Sequence, residues 1–226
     1  MISAITSIEI RNPYGNAYYA NAERSSVEFP VTDQCERSAK VMGEDFVRLQ
    51  FKLKDRVTFD AFSFIEYDNQ TFFLREQYIP TPNGTYYTYD VKFVSVANML
   101  DKHVCYRHVK VTGAGEWYEP EININGTLDT MYVIVMGSIQ RAAEQFKDIV
   151  YGQLLYTIYT NGMASDGINP NYSKVKITAN TDLLTFNFSG DNIANVCTTI
   201  ANKYTRFATS IFIPVCLSFT FIVTPL

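Results

Sequence analysis

The chain has 226 residues, enough for one large or two small domains with a sizeable core. Apolar residues make up 47% and aromatics 15%, a composition that excludes a largely disordered chain and favours pleated, half-buried surfaces. Nineteen basic against 23 acidic residues leave a net charge of -4, which speaks against a phosphate-tracking protein and so against direct nucleic-acid binding.

Residues 1–10 contain Glu9 and lack the basic start and apolar run of a secretory signal. Residues 46–54 alternate, with Val47, Leu49, Phe51 and Leu53 on one face and Phe46, Arg48, Gln50 and Lys52 on the other, the pattern of a strand with one wet face. Residues 61–80 read as a hairpin turning at Asp68-Asn69-Gln70, because Asx residues tolerate the positive φ of tight turns. A second turn is expected at Thr81-Pro82-Asn83-Gly84. Beyond it Tyr87, Tyr89, Val91 and Phe93 share one strand face while Thr88, Asp90 and Lys92 take the other. Gly113-Ala114-Gly115 reads as a turn.

The period then changes. Thr127 is positioned to cap a helix and Asp129 to complement its positive end. Leu128, Met131, Val135, Ile139, Ala142 and Phe146 recur every three or four residues, predicting an amphipathic helix of about five turns. Gly137 inside it costs about 1 kcal/mol relative to Ala. A strand is expected over 153–160, a loop over 161–173, and strands over 174–178 and 183–188. Ser189-Gly190-Asp191 is expected to open a second helix with the stripe Ile193, Val196, Cys197, Ile200, Ala201 and Tyr204.

This order predicts an α+β fold: a β-rich, barrel-like domain over 1–107, a mixed helix/strand domain over 108–206, and an apolar segment over 207–226. Residues 207–226 carry no charge. With Pro214 in their middle and much Phe, Ile, Val and Thr, they read as buried strands rather than a membrane anchor, a truncated end being the other alternative.

Little in the chain suggests chemistry. Cys35, Cys105, Cys197 and Cys216 are scattered, without a C-x-x-C pair, and read as reduced thiols made in a cytosol. His103 and His108 flank Cys105, but a structural zinc needs four ligands and no second cluster exists. Cys105 as a nucleophile has Lys102, Arg107 and Lys110 for charge and no evident orienting group. P-loop, dinucleotide, H-E-x-x-H and EF-hand signatures are missing. The expectation is no catalytic residue, no cofactor and no metal. Tyr86, Tyr87 and Tyr89 fit a sugar-binding platform less well than packing across a sheet.

Two stretches carry a family resemblance. One is 59–100, with its Asp-Asn hairpin, Tyr86-Tyr87-Thr88-Tyr89-Asp90-Val91-Lys92-Phe93, and Asn98-Met99-Leu100. The other is 182–205, with Leu183-Leu184-Thr185-Phe186-Asn187-Phe188-Ser189-Gly190-Asp191-Asn192 followed by a helix bearing Ile200-Ala201. Together they resemble the tail-hub proteins of tailed bacteriophages and prophages, over roughly 5–209. The helix from Leu128 fits that family's helical insertion. The resemblance implies a structural, non-enzymatic virion component assembled in a bacterial cytoplasm. It implies a ring-forming homotrimer, with barrel-like domains giving pseudo-sixfold symmetry, that joins the tail tube to a spike or fibre. Family members usually continue through further strands, often into a peptidoglycan-cutting or fibre domain, where this chain has its uncharged tail; no catalytic residue carries over. The expected interface is the aromatic strand bearing Tyr86, Tyr87, Tyr89 and Phe93, since Tyr is enriched in interface cores. The competing reading is a carbohydrate-binding or adhesin module of a β-rich surface protein.

Overall fold

A computed structural model describes residues 7–18, 28–30, 36–39, 44–171 and 182–204. The strand expected over 174–178 and the apolar segment over 207–226 lie outside the described residues. The chain divides into two compact units. One runs up to Met99 and includes Asp148–Tyr151; the other holds Leu100–Lys147 and the described residues from Gly152 onward.

The first unit contains β1 (Ser7–Arg11), β2 (Glu28–Pro30), β3 (Glu36–Ser38), β4 (Phe46–Leu53), β5 (Phe64–Tyr67), β6 (Gln70–Phe73), β7 (Thr81–Asn83) and β8 (Tyr86–Ser95). These strands pair antiparallel in the order β2-β1-β5-β6-β8-β4-β3, with β7 pairing the start of β8. The result is a curled half-barrel, as the expected barrel-like N-terminal region required. Its backbone is the ladder between β4 and β8, from Phe46 opposite Val94 to Leu53 opposite Tyr87.

Both strands alternate as their sequences dictate. Val47, Leu49, Phe51, Tyr89, Val91 and Phe93 are buried in one cluster with Ile8, Ile10, Phe59, Ile65 and Phe72. Burying a side chain of this size contributes roughly 1.5–3 kcal/mol. Phe51 and Tyr89 stack with ring centroids 4.6 Å apart and planes 8° from parallel. The Tyr89 hydroxyl accepts from Val57 N–H at 2.7 Å and lies 3.0 Å from the Val57 carbonyl oxygen, so its polar end is satisfied inside the core.

The hairpin of β5 and β6 turns through Asp68 and Asn69, whose φ values of 51° and 57° suit a two-residue connection matched to strand twist. A short helix, α1 (Val96–Met99), follows β8. Within it the Asn98 side-chain oxygen accepts from Asp45 N–H at 2.8 Å, and the Asn98 carbonyl accepts from Arg75 Nη2 at 2.8 Å. This one residue therefore ties the entry of β4 to the exit of β8.

The second unit opens with a 3-10 turn at Leu100–Lys102. A hairpin of β9 (Arg107–Val111) and β10 (Gly115–Glu119) follows, joined by the glycine turn that the sequence indicates. Next come β11 (Glu121–Gly126), α2 (Leu128–Gln145), α3 (Val150–Gly162, of which Val150 and Tyr151 belong to the first unit), β12 (Leu184–Ser189) and α4 (Ile193–Tyr204). Strands β11 and β12 pair antiparallel, Ile122 opposite Phe188 and Ile124 opposite Phe186. Helix α2 begins as expected, with the Thr127 hydroxyl accepting from Thr130 N–H. The mixed α+β class read from the sequence is the one observed.

Two expectations are corrected. The strand expected over 153–160 is the body of α3. Its β-branched and aromatic residues favour a strand locally, but Tyr151, Leu155 and Ile158 are buried at helical spacing, and packing overrides propensity. Helix α4 does not open at Ser189-Gly190-Asp191. Gly190 has φ 71° and closes β12, and Asn192 caps the helix by accepting from Asn195 N–H at 2.8 Å.

Two glycines make a test of the helices. A Cβ at Gly152 would lie 2.0 Å from the Phe146 carbonyl oxygen, a backbone atom with nowhere to go. A Cβ at Gly137 would meet nothing within 4 Å. Gly152→Ala is expected to destabilise by about 2–3 kcal/mol or more, and Gly137→Ala to stabilise by about 0.4–1 kcal/mol. Urea denaturation of both variants checks the pair, and equal shifts would refute it.

Candidate assembly surface

The four aromatic residues expected at an interface do not act together. Tyr89 and Phe93 are fully buried in the core of the half-barrel, so they are committed to their own fold. Tyr87 is half-buried and packs against the same cluster; Tyr86, at 44% exposed, alone faces solvent. The alternation of β8 explains the correction: the face that looks richest in aromatic residues is the face the core requires. An Asp at Tyr89 would bury a charge and disturb folding, so it cannot report on assembly.

The outer face of the same ladder is polar and internally matched. Arg48 donates two bonds to Asp90, 2.6 and 2.5 Å long, and Gln50 adds a third at 3.1 Å. Lys92 pairs with Glu44 at 2.5 Å while its ammonium sits 4.3 Å from the Phe46 ring centroid. The bonds from Arg48 hold the Asp90 carboxyl below its ordinary range.

The second unit carries a different surface on the β9–β10 hairpin. One face bears His108 and Tyr118, whose rings stack at 4.9 Å. The Arg141 guanidinium, from α2, lies between the rings of Tyr106 and Tyr118, 4.3 and 4.2 Å from their centroids. Such cation–π contacts stabilise by roughly 0.5–1 kcal/mol each at exposed sites. The opposite face bears Val109, Val111 and Trp117, the last two 43% and 40% exposed. Sequence reading did not single out this hairpin. The available signal was the basic run around Val109 set against the acidic run around Trp117, with glycines between.

The chain's candidate chemical groups are occupied structurally. Cys105 is buried and its Sγ lies 3.4 Å from Ser138 Oγ, which also accepts from Tyr106 N–H at 2.9 Å. Burial pushes the thiol up to about 11, away from the thiolate a nucleophile needs. His103 is buried with its ring against Phe146, and burial lowers its basicity. His108 is exposed on the hairpin, 3.2 Å from Glu116. Among the described residues no three His, Cys, Asp or Glu side chains gather as metal ligands, and no helix is long and apolar enough to cross a membrane.

No family model, curated protein or solved structure matches the chain.

Two outcomes are expected here. Asp90 titrates below its unfolded value, so its contribution is present at neutral pH and is lost as pH falls through the depressed value. Asp90→Asn should therefore lower the urea midpoint modestly near neutrality and lose its effect at strongly acid pH. Cys105 should resist alkylation by iodoacetamide at neutral pH in the folded chain and react at an ordinary rate after unfolding, as peptide-resolved mass spectrometry would show.

Proposed function

We propose that the chain is a structural component of a phage or prophage tail tip or baseplate hub, self-associating as a homotrimer and joining the tail tube to a spike or fibre in the virion. The observation that carries this reading is the order of parts. A curled antiparallel half-barrel comes first, a long helix stands where the resemblance puts an insertion, and a strand–turn–helix unit, β12 to α4, follows. The work of such a protein is adaptor geometry: subunits hold positions through buried surface, and no bond is made or broken. Stable assemblies of this kind bury large, apolar areas, and exposed Tyr86, Val111, Trp117 and Tyr118 supply apolar contact without being needed by the cores.

The carbohydrate-binding reading keeps one specific support, the exposed Trp117 and Tyr118 rings, since aromatic faces stack on sugars as well as on protein. Mass photometry separates the two. The hub reading expects a species of three times the 25.8 kDa chain mass, and co-purification with the tail-tube protein encoded beside its gene. A monomer at all concentrations that ignores tube protein and binds a glycan array would replace it with the adhesin reading.

A further inference from the structure

The β9–β10 hairpin is segregated by charge. Strand β9 carries Arg107, His108 and Lys110 and no acid; strand β10 carries Glu116 and Glu119 and no base. Within the hairpin the two strands match across the ladder, with Lys110 opposite Glu116 and Arg107 opposite Glu119. The Lys110 ammonium reaches Glu116 Oε1 at 2.5 Å and His108 Nε2 lies 3.2 Å from Glu116 Oε2. The Lys110 contact holds the Glu116 carboxyl below its ordinary range.

Among the described residues neither outer edge of this hairpin pairs with another strand. A two-stranded sheet by itself is marginal in water, and an unpaired edge is a template for another strand. Charges on an edge ordinarily discourage such pairing. Here their sorting by strand gives a selection rule instead. A β9 edge meeting a second β9 edge places base on base, and β10 on β10 places acid on acid. A β10 edge meeting a β9 edge repeats the attraction already present inside the hairpin.

We infer that the hairpin is a self-association element in which the acidic β10 edge of one copy pairs with the basic β9 edge of the next. This deepens the hub reading and rests on it. A contact between two different patches is the heterologous kind, and that kind closes into rings when its rotation allows. The exposed Val111 and Trp117 on one face of each hairpin would then lie against their counterparts and lose water, which adds apolar burial to the backbone pairing.

Two double variants test it. Glu116→Lys with Glu119→Lys makes both strands basic; Arg107→Glu with Lys110→Glu makes both acidic. Each alone should self-associate roughly tenfold more weakly than the wild type, since like charges would face each other across the contact. Mixed in equal amounts, they should associate again, because a basic edge of one kind then meets an acidic edge of the other, although a ring of three can satisfy only two of its three contacts in this way. Self-association of either variant at wild-type strength would overturn the inference. Hydrogen exchange on the wild type gives a reading independent of variant folding: amides in 107–111 and 115–119 should gain protection as concentration rises, and unchanged exchange on association would also overturn it. A wild type that assembles through some other surface removes the hairpin contact and leaves the hub reading standing. A wild type that neither assembles nor binds tail-tube protein removes both.

Discussion

The ladder between β4 and β8 admits one register. Side chains alternate with a period of two, so sliding one strand by a residue would move Tyr89, Val91 and Phe93 into water and bring Asp90 and Lys92 inside. Each side of the ladder specifies the same alignment. Inside, the Phe51 ring stacks on Tyr89, and the Tyr89 hydroxyl meets the Val57 backbone. Outside, Arg48 meets Asp90 with a forked pair of bonds, worth little as an exposed ion pair but specific in geometry. Strands β3, β6 and β7 join the sheet through contacts with these two strands, so the curl of the half-barrel depends on their alignment.

What could be read from the sequence followed from how strongly each segment repeats. Strands β4 and β8 and helix α2 show one clean period each, and the structure places their apolar residues inside. Helix α3 was illegible because Tyr-Thr-Ile-Tyr-Thr is a strand-forming composition, while Leu155 and Ile158 are buried at helical spacing. The start of α4 shifted as well. Asp191 could have capped it, but its carboxylate accepts from Ser189 N–H at 3.2 Å, behind the helix, and Asn192 makes the cap.

The surface was harder to read than the fold. Aromatic residues at alternating positions of β8 were expected at an interface, and Tyr89 and Phe93 are wholly core. Alternation says that a face is apolar; it does not say whether the covering comes from the same chain. The β9–β10 hairpin escaped notice because its apolar residues are few and its charges look ordinary when each strand is read singly. Paired as Lys110 with Glu116 and Arg107 with Glu119, they form an ordered pattern that only the register reveals.

The seam between 103–105 and 191–193 bears on how the second unit is made. The His103 carbonyl accepts from Ile193 N–H at 2.8 Å, and Cys105 N–H donates to the Asp191 carbonyl. Strand β11, from Glu121 to Gly126, likewise has its ladder partner in β12, some 60 positions later. During synthesis on the ribosome these earlier segments emerge long before their partners. The second unit can complete its hydrogen bonding only once Ile193 has cleared the exit tunnel, so on the ribosome its folding waits for its last described helix.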